Sequence, residues 1–154
     1  MRYKLGHRHH RCGALRIGAG LSGLTAAVTL QNAGACVQIV EADAQIGGRI
    51  RALRQPVTNR ALADLGPTWV WPKHQPVVAR WLEILGLKTF EQFNQGDAVI
   101  LGCGPPPQRQ PLPGQDGMAR IVGGPTALID TLARRVGNGR EGGFRGAWNR
   151  PVTL

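Results

Sequence analysis

The stretch GALRIGAGLSGLTAAVTLQNAGACVQIVE, residues 13–41, decides the fold. Residues 13–17 predict a short strand that ends at Gly18, and residues 36–40 predict a second strand. Between them, residues 22–33 carry apolar side chains at near-helical spacing and are followed by a glycine, which often ends helices. This order of strand, glycine turn, helix and strand is typical of a right-handed crossover between parallel strands. It predicts an α/β protein with a Rossmann-like, doubly wound parallel sheet.

Three glycines form a G-x-G-x-x-G motif between the first strand and the helix. Gly18 permits a tight turn, Gly20 lets the backbone approach a pyrophosphate, and Gly23 lets the helix pack close to the sheet. The start of the helix presents unpaired N–H groups to phosphates, so Leu21 and Ser22 are also candidate contacts. Ser22 is expected to cap the helix. The motif indicates a dinucleotide site; a chance glycine turn is the alternative, because 22 of the 154 residues are glycine.

An acidic residue, Glu41, ends the second predicted strand, 18 residues after Gly23. A carboxylate in this position accepts hydrogen bonds from both hydroxyls of an adenosine ribose. It also repels a 2′-phosphate, so the sequence favours a non-phosphorylated dinucleotide over NADP. A solvated carboxylate at the end of a strand is the alternative interpretation.

The segment QIGGRI, residues 45–50, follows Glu41 closely. In this order, the motifs resemble the FAD-binding opening of the flavin-containing amine oxidase (monoamine oxidase-like) family. The resemblance implies that FAD is the cofactor and that Gly48 and Arg49 lie near its diphosphate, where a guanidinium can pair with phosphate oxygens. It also implies an oxidoreductase in which FAD takes a hydride equivalent from a small-molecule amine and molecular oxygen reoxidises the flavin.

Residues 64–92, which begin DLGPTWVWP, resemble the family segment that returns beneath the isoalloxazine ring. The residues that match positions lining the flavin are Gly66, Pro67, Thr68 and Trp69. Core packing is the alternative for Trp69 and the expected role of Trp71. Residues 120–136 resemble the family's segment of two glycines and a helix, so the resemblance extends over about residues 17–136.

The rest of the chain gives a coarser pattern. Residues 44–60 look like a loop, because glycine and proline interrupt them, and residues 77–85 predict an amphipathic helix. Residues 97–101 predict a strand, and the proline-rich residues 102–117 predict an exposed connection. Helical spacing returns over residues 126–136, after a proline and before a glycine.

The net charge of +10 is concentrated at the two ends of the chain. Residues 17–133 carry nine basic and eight acidic side chains. We therefore divide the chain into residues 1–16, a basic tail with the start of the first strand, residues 17–136, the FAD-binding region, and residues 137–154, an irregular basic tail. Because the central region is nearly neutral and matches no nucleic-acid reader motif, we predict no nucleic-acid partner.

Other classes of site receive little support. The three cysteines are widely spaced and odd in number, which argues against disulfides and favours a cytoplasmic protein: Cys12, Cys36 and Cys103. No run of apolar residues is long enough for a membrane span. The histidines within residues 7–10 are expected to be solvated rather than to bind a metal. No nucleophile set stands out, so we assign no catalytic residue.

Two features depart from the family pattern. Arg16 interrupts a first strand that should be apolar, and the residues after 136 show no periodicity. We interpret the chain as a truncated reading of a longer enzyme that lacks most of the substrate pocket. The alternatives are a non-catalytic FAD or dinucleotide-binding fragment and another FAD oxidoreductase, such as a carotenoid-desaturase-like enzyme. The oligomeric state stays open.

Overall fold

The structure is a computed structural model that describes residues 14–101, 106–111 and 114–137. Within these residues the strands form four two-stranded sheets, and one of the four is parallel. In chain order the elements are β1 (Ala14–Ile17), α1 (Leu21–Asn32), β2 (Val37–Val40), β3 (Ala52–Arg54), β4 (Ala61–Asp64), α2 (Pro76–Ile84), β5 (Thr89–Glu91), β6 (Ala98–Ile100), β7 (Gln108–Gln110), β8 (Ala119–Ile121) and α3 (Thr126–Gly137).

The predicted crossover is present. Strands β1 and β2 pair in parallel, with Ala14 opposite Val37 and Ile17 opposite Val40, and α1 connects them. The strand and helix predictions for residues 13–41 are therefore confirmed to within one residue at each boundary. The described strands do not extend this pair into the larger parallel sheet that the sequence predicts.

The core lies between helices α1 and α3 and strand β2. Strand β2 buries Val37 and Ile39, whereas Gln38 between them is exposed, as expected for alternating strand positions. Helix α3 packs against α1, and the amide of Gln31 donates a 3.2 Å hydrogen bond to the carbonyl of Val136. Full burial of each large apolar side chain contributes about 1.5–3 kcal/mol. The helical side chains buried here are Leu24, Ala27, Val28, Leu128, Ile129, Leu132 and Val136.

The later helices follow their sequence signals. Helix α2 begins at Pro76, buries Leu82 and is followed by Gly86 with φ of +67°. Helix α3 follows Pro125 and buries one face, as the spacing of its apolar residues predicts. Both helix predictions are confirmed.

The antiparallel sheets contain the elements that the sequence did not predict. Strand β3 lies within residues 44–60, so the prediction of a loop there is wrong in part. It pairs with β4, whose exposed and half-buried residues have no clear alternation. The predicted strand at residues 97–101 is confirmed as β6, and it pairs with β7 inside the proline-rich connection. All residues of β7 are exposed, so apolar patterning could not have indicated it.

Several predictions concern residues outside the described ranges. They include the basic tail before Ala14, the histidines within residues 7–10, and the C-terminal tail after Gly137. Within the described residues, no helix has the length and hydropathy needed to cross a lipid bilayer.

Candidate functional site

The turn between β1 and α1 requires glycine at two of its three motif positions. Gly18 has φ of +92°, which residues with a Cβ rarely adopt, and its N–H donates a 2.7 Å hydrogen bond to the carbonyl of Val40. A Cβ on Gly23 would lie 2.0 Å from the carbonyl oxygen of Gly18. The helix therefore starts in direct contact with the turn, as the motif predicts.

Helix α1 begins without a side-chain cap. Its N-cap is Gly20, and the first intrahelical bond runs from the N–H of Leu24 to the carbonyl of Gly20 at 3.0 Å. The prediction that Ser22 caps the helix is wrong, because the helix begins at Leu21 and Ser22 already lies in the first turn. The N–H groups of Leu21, Ser22 and Gly23 have no intrahelical acceptor, so they are available to an anion.

The carboxylate of Glu41 lies against this turn. Its Oε2 accepts a 2.6 Å hydrogen bond from the N–H of Ala19, inside the glycine motif. Its Oε1 accepts a 3.0 Å hydrogen bond from the N–H of Asp43. The structure therefore brings the strand-end acid and the glycine turn together, as the sequence predicts.

A second glycine turn lies beside the first. The N–H of Gly47 donates a 2.9 Å hydrogen bond to the carbonyl of Ala19, and Gly47 forms a parallel bridge with Gly20. Gly47 and Gly48 have φ of +106° and +58°. A Cβ on Gly48 would lie 3.8 Å from the Cα of Gly20, which is van der Waals distance, so the two turns lie side by side. Arg49 follows directly and is exposed.

A third segment packs against the second turn. A Cβ on Gly66 would lie 2.2 Å from the carbonyl oxygen of Arg49, so this close approach requires glycine. The N–H of Leu65 donates a 2.9 Å hydrogen bond to the carbonyl of Arg51. These contacts place the segment that begins at Asp64 next to the second glycine turn.

The three segments enclose an open cleft of about 1150 Å³. Predicted site residues that line it are Gly18, Gly20, Leu21, Ser22, Gly23, Gly48, Arg49, Gly66 and Pro67. The lining also includes residues that were not predicted as contacts: Gly47, Ile50, Arg51 and Leu65. Their position in sequence beside Gly48, Arg49 and Gly66 was the available signal.

Three predicted residues do not line the cleft. Glu41 contacts Ala19, a buried residue between the lining residues Gly18 and Gly20. Thr68 is half-buried, and its hydroxyl donates to the carbonyl of Gly66 at 3.3 Å. Trp69 is 50% exposed, which excludes core packing within the described residues.

Trp71 was expected to pack in the core, and this expectation is wrong. Its side chain is half-buried and lies outside the core cluster of the described residues. Its indole N–H donates a 3.0 Å hydrogen bond to the carbonyl of Gly114.

The cleft has the shape and chemistry that a diphosphate requires. A Cβ on Gly20 would meet no atom within 4 Å, so the space above this backbone is open to a ligand. The residues at the start of α1, with their free N–H groups, and the cationic residue Arg49 line the same space. The residues present therefore fit an anionic dinucleotide.

One ion pair lies at the edge of the cleft. The guanidinium of Arg51 contacts the carboxylate of Asp43, and its Nε donates a 2.9 Å hydrogen bond to the carbonyl of Gly48. The hydrogen bond from Arg51 and a further one from the N–H of Gln45 hold the pKa of Asp43 below its ordinary value. Among the described residues, no cluster of histidine, cysteine and acidic side chains is arranged to hold a metal ion.

The sequence profile of the flavin-containing amine oxidoreductases matches residues 21–138. The chain belongs to this family. The match begins directly after Gly20 and includes α1, Glu41, the second glycine turn and all of α3. Membership in this family implies a flavin cofactor.

The relatives that this chain matches are much longer than the matched region. An L-amino-acid oxidase from Sistrurus catenatus edwardsii is 38% identical over 81 residues, which are 53% of this chain and 15% of that protein. Putrescine oxidase from Kocuria rosea is 34% identical over 85 residues, 55% of this chain and 17% of that protein. The structure of a putrescine oxidase bound to putrescine superposes with a TM-score of 0.54 and 35% identity, covering 63% of this chain and 21% of that one.

Proposed function

We propose that this chain binds FAD and orients it within a flavin-dependent amine oxidoreductase. The observation that carries the proposal is the contact between the glycine turn and the strand-end acid, Ala19 N–H to Glu41 Oε2 at 2.6 Å. It supports the proposal because the backbone that we assign to the phosphates and the carboxylate that we assign to the ribose are in contact, as the ADP half of FAD requires.

The three segments divide the cofactor between them. The N–H groups at the start of α1, together with Gly48 and Arg49, bind the diphosphate. Glu41 binds the adenosine ribose: each of its oxygens accepts one backbone hydrogen bond, and a carboxylate has about four acceptor sites, so capacity remains for the ribose hydroxyls. The residues assigned to the isoalloxazine ring are Gly66, Pro67, Thr68 and Trp69.

The same assignment favours FAD over related cofactors. FMN has no adenosine and leaves Glu41 without a hydroxyl partner. NADP carries a 2′-phosphate, which the negative charge of Glu41 repels. We also propose that β1 and β2 belong to a doubly wound parallel sheet, with residues 17–136 as the FAD-binding unit.

A small-molecule amine is the proposed substrate. Bound flavin supplies the redox chemistry, because it accepts a hydride equivalent from a carbon that bears an amine and can pass electrons to oxygen. The residues described here bind, orient and partly enclose the cofactor. Similarity to an L-amino-acid oxidase and to a putrescine oxidase supports an amine as the common feature of the substrate.

A flavin-binding module without turnover is the second candidate. The match covers 15% and 17% of those two relatives, so it supports flavin binding more directly than turnover. The two candidates are separated by expressing the chain, measuring bound flavin absorbance, and assaying peroxide production with L-amino acids and putrescine. Bound flavin with amine-dependent peroxide supports the oxidoreductase, bound flavin without peroxide supports the module, and absence of flavin binding contradicts both.

A further inference from the structure

A chain of contacts joins Glu41 to the second glycine turn, two parts of the proposed FAD site. The N–H of Asp43 donates to Glu41 Oε1 at 3.0 Å, and the carboxylate of Asp43 pairs with Arg51. Arg51 in turn donates from Nε to the carbonyl of Gly48 at 2.9 Å. The acid assigned to the ribose is thus connected to the turn assigned to the diphosphate through the backbone and carboxylate of Asp43 and the guanidinium of Arg51.

The contact with Gly48 fixes one peptide plane. In a trans peptide the C=O and N–H groups point in opposite directions, so anchoring the carbonyl of Gly48 on Arg51 directs the N–H of Arg49 away from Arg51. Gly48 has φ of +58° and, as a glycine, can adopt other backbone conformations at little cost. Without an anchor, this peptide can rotate and turn its carbonyl oxygen toward the cleft.

We propose that Arg51 is a positioning residue for the FAD diphosphate, because it holds the Gly48 carbonyl away from the phosphates and presents the N–H of Arg49 to them. The inference rests on the proposed FAD site. A carbonyl oxygen that faced the phosphates would repel them, whereas an N–H donates a charge-assisted hydrogen bond. Asp43 keeps the guanidinium in place for this role.

Direct contact of Arg51 with the phosphates is the competing explanation. Two of its three guanidinium nitrogens are engaged, Nε by Gly48 and Nη2 by Asp43. Arg49 and Arg51 both line the cleft, but among the described residues the Arg49 side chain has no hydrogen-bond or ion-pair partner, so a phosphate contact through a side chain is better assigned to Arg49. The salt dependence of FAD affinity separates the two explanations. Added salt weakens a direct ion pair between exposed groups more than it weakens a hydrogen bond from an oriented backbone N–H.

The test uses the complete chain and FAD as the probe. The dissociation constant is measured by flavin fluorescence at several salt concentrations, from low to high. Arg51→Gln should raise the Kd about tenfold, which corresponds to ~1.4 kcal/mol. Arg51→Lys should restore little of the wild-type affinity for FAD, because an ammonium on a flexible side chain does not reproduce the fixed planar geometry of a guanidinium. Arg80→Gln, an equal change of charge on the exposed part of α2, is the matched control and should leave the Kd unchanged.

A double-mutant cycle tests whether the two side chains act together. Asp43→Asn should weaken FAD binding less than Arg51→Gln, and the double variant should bind no more weakly than Arg51→Gln alone. The unfolding temperatures of the cofactor-free variants should match that of Arg80→Gln. A purely structural role would instead lower the unfolding temperature of Arg51→Gln.

Each other result overturns a specific claim. If the wild-type chain does not bind FAD, the proposed function fails and this inference fails with it. If the wild-type chain binds FAD and Arg51→Gln binds it equally well, only the positioning role is wrong. Full rescue by Arg51→Lys, or a weaker salt dependence in Arg51→Gln than in the wild type, would replace positioning with direct charge contact.

Discussion

The backbone N–H of Ala19 donates a 2.6 Å hydrogen bond to Glu41 Oε2, which joins the glycine turn to the end of the neighbouring strand. The other oxygen of Glu41 is held by the N–H of Asp43. Because both contacts come from backbone, the carboxylate is positioned before a cofactor arrives. Such preorganisation reduces the entropic cost of binding.

Replacing this carboxylate tests the ribose assignment. Glu41→Gln keeps the size of the side chain but removes its charge and one acceptor oxygen. Hydrogen bonds to charged groups contribute about 1.5–3 kcal/mol, so we expect the Kd for FAD to rise about tenfold to a hundredfold. Glu83→Gln, on the exposed side of α2, is the control for charge. Equal FAD affinity of both variants, measured by fluorescence titration, would remove Glu41 from the site.

Two glycines of one motif should respond differently to the same added methyl group. A Cβ on Gly23 would lie 2.0 Å from the Gly18 carbonyl, so Gly23→Ala must displace the helix or the turn. Overpacking of this kind costs about 1–3 kcal/mol, and we expect a clear fall in unfolding temperature. Gly20 has φ of −75° and open space around its Cα, so Gly20→Ala should preserve the unfolding temperature but block FAD.

Thermal unfolding and FAD titration on both variants check this contrast. A Gly20→Ala chain that binds FAD as the wild type does would show that the cofactor does not approach this backbone. An unchanged unfolding temperature for Gly23→Ala would show that α1 does not start against the turn.

A part-buried ion pair supports the third segment of the cleft. Asp64, whose side chain is 10% exposed, accepts a 3.0 Å hydrogen bond from Arg120, and it directly precedes the cleft residue Leu65. Asp64→Asn should lower the free energy of unfolding by about 1–3 kcal/mol, because it leaves the guanidinium without its charged partner. Asp116→Asn breaks an exposed pair at 3.4 Å and should cost less than about 1 kcal/mol. Equal losses in denaturant unfolding would contradict a special role for Asp64.

The pKa of Asp43 sets the pH range of its effect. The hydrogen bond from Arg51 lowers the pKa of Asp43. The stabilisation that the Asp43–Arg51 pair gives the folded site is therefore fully present above the ordinary pKa of aspartate, about 3.9. It is lost as the pH falls through the lower pKa of the folded state. The difference in FAD affinity between the wild type and Asp43→Asn should therefore stay constant from about pH 8 down to about pH 4.5. A difference that disappears near pH 6 would assign the effect to another group.

The local signals in the sequence predicted the part of the fold that forms the cradle. The parallel crossover and the glycine turn were predictable because Gly18 and Gly23 are dictated by backbone geometry, and because α1 and α3 have apolar faces. Strands β3 and β4 were not predictable, since they are short and partly exposed and show no clear alternation of buried residues. Local propensity carries little information about such pairs.

The same limit applies to the site. Ser22 was assigned as a cap from its residue type, but the boundary of α1 depends on a single residue and placed it inside the helix. Arg51 could not be assigned because its role depends on Asp43, eight residues earlier, and on the orientation of the Gly48 peptide. Contacts of this kind arise only once the two turns are folded against each other.

Titration of the chain with FAD and, in parallel, with FMN tests the central claim most directly. The two flavins share the isoalloxazine ring, but only FAD supplies the adenosine ribose and the diphosphate. If the first glycine turn and Glu41 bind the diphosphate and the ribose, the chain should bind FAD saturably and FMN at least about tenfold more weakly. Equal affinity for the two flavins, or no saturable binding of FAD, would contradict the account.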